Sequence, residues 1–291
     1  MTLRTSPRVT IATAIVLAAA LGGCTSAPAP RSSVDLSGMP SAGADDIDVI
    51  GVLGDSVSLG VNACGEVGRC GAASWASGDD PSVASVALRV ASVTGDAPKV
   101  NNRAKDGGTV ADALDVRVDE VIGSQPDLVL VLLGGNDVCK GDLDSMTPVD
   151  TFRAEYSELV ARVHDGAPDA RILALSIPDL HRLWEIGHED PKARDVWNSS
   201  PSCRNLLGDA NDMSPAAEER RAAVTMRNQE LNSVIADVCT SELSCTTDGG
   251  ALYTYPFERD EISSVDYFHP SALGQKAIAQ MAWTALEEAA P

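Results

Sequence analysis

Three short, largely apolar runs along the chain have the character of buried strands. They are Ile47–Leu53, Asp127–Leu133 and Arg171–Ile177, which stops at Pro178, and Lys99–Asn102 is a weaker candidate for a strand. Runs of this length without polar alternation are typical of strands that are covered on both faces, as in a parallel sheet. We therefore predict that these four segments are strands of one parallel sheet.

Segments with apolar residues at helical spacing lie between these runs and after them. They are Ser82–Val93, Thr109–Ile122, Asp150–His164, Pro215–Val238 and Ser271–Glu288. Strands that alternate with helices in this way form βαβ units, whose right-handed crossovers place helices on both faces of the sheet. Residues 179–212 are polar and show no period, so we predict an irregular insertion there, beside the carboxyl ends of the strands.

The first residues of the chain have a different character from the rest. Two arginines precede the apolar run Val9–Leu21, which is too short to span a bilayer comfortably and has the form of a secretory signal. The four residues Leu21–Cys24 resemble the bacterial lipoprotein box. That resemblance implies that residues 1–23 are a signal peptide and that the sulfur of Cys24 carries a lipid. A plain signal peptide cut nearby is the alternative.

Residues 24–45 are rich in Pro, Ser, Ala and Gly and lack a hydrophobic period, which predicts a flexible tether. Residues 46–291 then form one folded domain. Several acyl chains on Cys24 would hold this domain at a membrane, where a single chain would hold it only marginally. We expect an exported protein at the outer face of the bacterial cell membrane, or a secreted one.

Composition narrows the choice of partners. The 291 residues include 42 acidic and 22 basic side chains, for a formal net charge of -20. Such a surface repels phosphate backbones, so nucleic acid is not an expected partner. The chain also lacks the glycine-rich phosphate loop GxxxxGK[ST], which argues against a nucleotide-binding α/β protein. We expect a monomer.

Seven cysteines are present, and six are left once Cys24 is set aside. An even number of cysteines in an exported protein suggests three disulfides. Two pairs share the same short spacing, Cys64 with Cys70 and Cys239 with Cys245, and local closure of each leaves Cys139 with Cys203. A metal site is the alternative, although no CxxC pair or histidine cluster accompanies these cysteines.

Candidate chemistry follows the strand ends, because parallel sheets place function at the carboxyl edge. Ser56 lies in a glycine-flanked turn after the first strand, although a serine there is more often a helix cap. Asn136 follows the strand Asp127–Leu133 in the sequence Gly-Gly-Asn-Asp. Gly107 and Gly108 follow the weak strand and could offer an unobstructed N–H to an anion. Tight turns explain these glycines and the asparagine equally well.

Asp266 and His269 stand three residues apart, just before the last predicted helix. At this spacing the carboxylate can hold one imidazole nitrogen while the other is free to take a proton from a serine. The chain has four histidines, and the other three lie in predicted helix or insertion. A lone histidine is more often structural, but this one comes with a carboxylate at the spacing that base catalysis needs.

Together these motifs resemble the SGNH hydrolase family, also called GDSL-type esterases and lipases. The resemblance runs from about Asp48 to the last helix. It implies a three-layer α/β/α sandwich around a mostly parallel, five-stranded, flavodoxin-like sheet. It also implies a nucleophile at Ser56, a base at His269 oriented by Asp266, and an oxyanion hole from Ser56, Gly107 and Asn136, with Gly108 competing for the place of Gly107.

The function implied is cleavage of carboxylic esters through an acyl-enzyme, without a metal or another cofactor. We expect a lipase or esterase acting on a small ester or lipid with a short to medium acyl chain. A carbohydrate O-acetylesterase is the rival enzyme, and a non-catalytic lipoprotein that binds envelope ligands is the alternative of another class. Val57 stands where the family's older name has leucine, and we expect it to change core packing only.

Overall fold

The structure is a computed structural model, and it describes residues 1–2, 33–36, 43–44, 46–241 and 244–289. The chain divides into two units, residues 1–31 and Ser32–Pro291, and the fold below is that of the second. The predicted lipidation site Cys24 and nearly all of the predicted signal peptide and tether lie outside the described residues. Among the described residues, no helix has the length and apolar character needed to cross a membrane.

The core of the fold is a parallel sheet of five strands. The strands are β1 (Val49–Gly54), β2 (Lys99–Asn102), β3 (Leu128–Leu132), β4 (Arg171–Ala174) and β5 (Cys245–Thr247). Their spatial order is β2-β1-β3-β4-β5, which is the flavodoxin-like order, and every neighbouring pair is parallel. All four segments predicted as strands therefore form strands, and the predicted fold class is confirmed.

Helices cover both faces of this sheet. They are α1 (Val86–Thr94), α2 (Val110–Asp112), α3 (Val118–Ile122), α4 (Gly135–Val138), α5 (Val149–Gly166), α6 (His181–Gly187), α7 (Pro191–Ser199), α8 (Arg204–Leu207), α9 (Pro215–Ser241), α10 (Ala251–Thr254) and α11 (Ala272–Glu288). Helices α1 and α11 pack together, while α3, α5 and α9 form a second packed group. A π-helical segment, Ala113–Arg117, joins α2 to α3.

Burial explains why β1 and β3 read as unbroken apolar runs. Both are interior strands with neighbours on each side, and every residue of β3 is buried. In β1, Gly51 is required because a side chain there would overlap Val121 of α3. Large side chains from the helices, among them Trp283 and Phe152, complete a continuous hydrophobic core around the sheet.

Two predicted elements differ from the structure. The helix predicted from Ser82 begins at Val86, because residues 80–84 form a turn with Ala84 at φ +53° and the Ser85 hydroxyl caps the N–H of Leu88. The segment 179–212 was expected to be irregular, but it carries α6, α7 and α8. Their apolar faces are narrow and their spans short, so no helical period is visible in the sequence.

The three disulfides pair as predicted from spacing. Cys64 bonds Cys70, Cys239 bonds Cys245, and Cys139 bonds Cys203. The first closes a surface loop after β1, and the second joins the end of α9 to the start of β5. The third ties the loop after β3 to the insertion, which attaches the insertion covalently to the carboxyl edge of the sheet.

Candidate active site

Ser56 lies at the carboxyl end of β1, two residues after the strand ends. A side chain at Gly54 would come within 2.3 Å of the Ser58 hydroxyl, so only glycine allows this sharp turn. Ser56 is 4 % exposed, and its Oγ lies 2.8 Å from Nε2 of His269. The two residues are 213 positions apart in sequence and meet only because β1 and the start of α11 share one edge of the sheet.

His269 and Asp266 occupy a tight turn that immediately precedes α11. The turn places Tyr267 at φ +56° and directs the backbone N–H groups of Phe268 and His269 at Oδ1 of Asp266, at 3.0 and 3.1 Å. Oδ2 of the same carboxylate lies 2.5 Å from Nδ1 of His269. The side chain of Ser271 caps α11 and stops the helix from extending back into this turn.

The environment of Asp266 favours its charged form. Partial burial raises the pKa of Asp266, but the hydrogen bond and charge of His269, the N–H of Phe268 and the amide of Asn62 outweigh that effect. The pKa therefore lies below its ordinary value, and Asp266 is an ionised partner for the imidazole at neutral pH. Ser56, His269 and Asp266 thus form an unbroken line of hydrogen bonds.

Asn136 lies in the first turn of α4, facing the end of β1. Its Nδ2 donates to Oδ2 of Asp55 at 3.2 Å and to the carbonyl oxygen of Gly108 at 3.1 Å. Gly134 has φ +115°, and a side chain there would overlap Ile177, so the chain can turn into α4 only with glycine at this position. The amide of Asn136 is thereby held beside the turn that carries Ser56.

The backbone N–H groups of Gly107 and Gly108 have different surroundings in the structure. The N–H of Gly108 donates to the carbonyl oxygen of Lys105 at 2.9 Å and closes a turn. Gly107 is exposed at φ +69°, and its N–H has no acceptor within the described part of the chain. A ligand can therefore reach the N–H of Gly107, whereas that of Gly108 is already used.

Two residues beside the site had no role assigned from the sequence. Asn62 donates from Nδ2 to Oδ2 of Asp266 at 2.7 Å. Burial raises the pKa of Asp55 to about 6, against the opposing effects of the Val57 N–H and the charge of His269. Asp55 was visible in the Gly-Asp-Ser motif, but Asn62 lies in a glycine-rich loop without any motif.

Asp137 is a second buried carboxylate next to Asn136. Burial raises its pKa to about 6 as well, although the hydroxyl of Thr147 donates to it at 2.8 Å. Asp137 lies close enough to Asp55 for its negative charge to raise the pKa of Asp55 further. The side of the site that carries Asn136 is therefore bordered by two carboxyl groups with raised pKa values.

A largely apolar pocket opens beside Ser56 and His269. Its empty volume is about 740 Å³ with its open mouth included. The apolar side chains that line it include Leu132, Ile177, Leu180, Leu183, Phe257 and Phe268. Val57 is partly buried and also lines the pocket, so it contributes to the pocket wall as well as to core packing.

The insertion contacts both sides of this pocket. Trp197 of α7 donates from Nε1 to the carbonyl oxygen of Tyr267, in the turn that carries His269. Arg182 of α6 donates to the carbonyl oxygen of Phe257, and Asn205 of α8 donates to that of Val138, two residues after Asn136. The insertion therefore bridges the His269 turn and the Asn136 loop.

The structure is thus an α/β/α sandwich in which the side chains of a serine, a histidine and an aspartate meet at the carboxyl edge of a parallel sheet. A model of the GDSL-like Lipase/Acylhydrolase family matches residues 52–277, which is more than half of the chain. The chain therefore belongs to the GDSL-like lipase/acylhydrolase family. No match was found among curated protein sequences.

Solved structures share the fold at low sequence identity. A lipase/acylhydrolase from Enterococcus faecalis matches with a TM-score of 0.52 at 18 % identity, over 83 % of this chain and 96 % of that one. TesA matches with 0.51 at 17 % identity, over 83 % and 99 %. LAE5, an α/β hydrolase enzyme from the metagenome of Lake Arreo, Spain, matches with 0.51 at 20 % identity, over 82 % and 96 %. At these identities the likeness concerns the fold alone.

Proposed function

We propose that this protein hydrolyses carboxylic esters with Ser56 as nucleophile, His269 as general base and Asp266 as the residue that orients His269. The observation that carries the proposal is the continuous hydrogen-bonded line from Ser56 Oγ through the imidazole to Asp266, at distances of 2.8 and 2.5 Å. This line ends in an apolar pocket at the carboxyl edge of the sheet, where an acyl group can reach Ser56.

The reaction proceeds in two halves. His269 Nε2 takes the proton of Ser56 as Oγ attacks the carbonyl carbon, and the carbonyl oxygen becomes an oxyanion. The N–H groups of Ser56 and Gly107 and the amide of Asn136 donate to that oxyanion. His269 then gives its proton to the leaving alcohol, and the acyl group stays on Ser56. A water molecule, deprotonated by His269, attacks the acyl-enzyme in the same way and releases the acid.

The pocket supports a substrate with a short to medium acyl chain. Its walls are aliphatic and aromatic side chains, among them Leu180, Leu183 and Phe257. The transfer of an acyl chain from water into this pocket is therefore favourable. Arg182, which also lines the pocket, is held by Phe257 and by Glu185, so its charge is partly engaged.

Hydrolysis of p-nitrophenyl esters from acetate to palmitate tests the proposal. We expect cleavage that is strongest for short to medium chains, and none with Ser56→Ala. Ser58→Ala is the matched control, because Ser58 is buried two residues away and bonds Trp75 rather than His269. Release of acetate from an acetylated glycan, without cleavage of longer esters, would favour the carbohydrate O-acetylesterase.

A protein that neither cleaves any ester nor reacts with a fluorophosphonate at Ser56 would overturn the proposal. The non-catalytic envelope-binding lipoprotein would then be the better explanation. We further propose that a lipid on Cys24 holds the enzyme at the outer face of the cell membrane. Incorporation of a labelled fatty acid by the wild-type chain, and its loss in Cys24→Ala, tests this second proposal.

A further inference from the structure

The carboxylate of Asp266 accepts a hydrogen bond from a side chain other than His269. Nδ2 of Asn62 donates to Oδ2 of Asp266 at 2.7 Å, and this is the same oxygen that bonds Nδ1 of His269. The backbone N–H groups of Phe268 and His269 take the other oxygen, Oδ1. With four donors around it, the carboxylate has little freedom to rotate away from the imidazole.

The orientation of the Asn62 amide follows from its own partners. Oδ1 of Asn62 accepts the N–H of Gly68 at 2.8 Å, so the NH₂ group must point at Asp266. A flipped amide would set its oxygen against the carboxylate and its NH₂ group against an N–H, and would lose both bonds. The backbone of Asn62 is held as well, because its N–H donates to Gly68 and its carbonyl accepts from the hydroxyl of Ser263.

Asn62 lies at the base of a small loop that a disulfide closes. Residues 61–70 fold back on themselves, with a bridge between Val61 and Arg69, and the disulfide Cys64–Cys70 closes the loop. The tip is open to solvent, where Val67 is 88 % exposed, whereas Asn62 at the base is 8 % exposed. The disulfide thus lies between a solvent-exposed tip and a buried residue that contacts the candidate catalytic carboxylate.

We propose that Asn62 is a positioning residue that acts through Asp266 on His269, and that the Cys64–Cys70 disulfide holds it in place. The inference rests on the proposed ester hydrolase function. Asn62 holds Oδ2 of Asp266 in the position where it bonds Nδ1 of His269, and this keeps the imidazole oriented toward Ser56. By sharing the charge of the carboxylate, it also limits how strongly Asp266 stabilises the protonated imidazole.

Asn62 does not line the pocket, so its loss acts on chemistry rather than on substrate binding. The residue has φ +58°, a conformation that glycine adopts without strain, so Asn62→Gly removes the side chain and keeps the backbone. We expect kcat to fall about tenfold or more with KM within about twofold of wild type. We also expect the acid limb of the kcat/KM profile to move to higher pH, because Asp266 becomes more basic without this donor.

The variant Asn62→Asp distinguishes the effect of losing the hydrogen-bond donor from the effect of disturbing the loop. Aspartate retains an oxygen for the N–H of Gly68 and tolerates the left-handed backbone, but at pH 9 it has no hydrogen to donate to Asp266. We expect its kcat at that pH to fall at least as far as that of Asn62→Gly, because the new carboxylate donates no hydrogen bond and also repels Asp266. Equal activity of Asn62→Asp and wild type at pH 9 would mean that only the loop matters, and would overturn the role of the donor.

The two short disulfides form a matched pair for the remaining test. Both join cysteines six positions apart, but Cys239–Cys245 lies at the end of α9 and the start of β5, away from Asp266. We expect replacement of Cys64 and Cys70 by serine to lower kcat about threefold or more and to displace the acid limb. The same replacement at Cys239 and Cys245 should leave kcat within about twofold.

Wild-type ester hydrolysis and fluorophosphonate labelling of Ser56 are measured first. If wild type is inactive and unlabelled, the proposed function fails and the inference falls with it. If wild type is active but Asn62→Gly keeps kcat within about threefold, or leaves the acid limb where it was, the function stands and the role of Asn62 is refuted. Equal effects of the two disulfide replacements would refute the role of Cys64–Cys70.

Discussion

The proton-transfer side and the oxyanion side of the proposed active site are organised in opposite ways. On the first side, Ser56, His269 and Asp266 are already bonded to one another, and Asn62 adds a further bond to the carboxylate. On the second side, the amide of Asn136 is bonded to Asp55 and to Gly108, which are not parts of the reaction.

This contrast has a physical consequence for each step. Proton transfer needs no rearrangement of the protein, because the reacting groups already have the partners they use. Oxyanion stabilisation requires that Asn136 exchange at least one existing bond for a bond to the substrate oxygen. Only the difference between the new and the old bond then lowers the barrier. The N–H of Gly107, which has no acceptor among the described residues, does not carry this cost.

The largest expected effect is on the proton-transfer side. His269→Ala removes the only side chain among the described residues that bonds the Ser56 hydroxyl, and we expect kcat/KM for a p-nitrophenyl ester to fall about 10⁴-fold or more. His164→Ala is the control, because His164 is exposed on α5 and bonds only Ser244 among the described residues. A residual activity above one-hundredth of wild type would mean that another group acts as the base.

On the oxyanion side, we expect Asn136→Ala to lower kcat by about 10²–10³-fold, with a smaller change in KM. The loss should lie at the lower end of this range if the existing bonds to Asp55 and Gly108 cost what the contrast implies. Asn101→Ala is the control, since Asn101 lies in β2 and its side-chain amide donates to the carbonyl oxygen of Glu120 in α3. Steady-state kinetics of both variants decide the matter, and a loss below tenfold would exclude Asn136 as an oxyanion donor.

The link between the Asn136 loop and the insertion predicts a smaller effect. Without the Cys139–Cys203 bond the loop is less well held, so we expect the double serine variant to lose about tenfold in kcat. The bond closes a span of 64 residues, against six for Cys239–Cys245. Loop entropy then predicts about 4 kcal/mol of stability for the first and about 2 for the second.

Urea unfolding and ester hydrolysis, with and without a reductant, measure both quantities for this disulfide. Thiol titration must show that the bond is broken. Unchanged rates after complete reduction would mean that the hydrogen bonds of Asn205 hold the Asn136 loop without the disulfide.

The smallest effect concerns stability against pH. The pKa of Asp55 rises from 3.8 to about 6 on folding, so the unfolded chain releases this proton first. Stability is therefore greatest below about pH 4 for this group and is lost as the pH rises through 6, by up to about 3 kcal/mol. Asp137 acts in the same direction. Asp266 acts in the opposite one, since its lowered pKa stabilises the fold above pH 3.8.

Melting temperatures at pH 4.5 and pH 8 check this expectation. Relative to wild type, Asp55→Asn should lose less stability between the two values, because asparagine does not ionise. Identical pH dependence in the two proteins would mean that Asp55 is ionised at no cost, and the oxyanion side would then lack one of its distinguishing features.

Some elements were readable from the sequence, and their common property is a local pattern. The runs that became β1 and β3 are apolar because both faces of an interior strand are covered, and burial on both faces leaves a continuous trace in the chain. β5 left no such trace. It has only three residues, Cys245–Thr247, at the edge of the sheet, and it forms because β4 offers a free row of hydrogen-bonding groups.

The sequence by itself determined the parallel sheet, the strand ends that carry Ser56 and Asn136, and the spacing of Asp266 and His269. These follow from short-range patterns, in which a side chain's neighbours in the chain decide its burial and its turn. Only the tertiary structure decided that Asn62 bonds Asp266, across 204 positions, and that Asn136 is already bonded to Asp55. Such contacts depend on the packing of whole elements against each other, and no local sequence pattern predicts that packing.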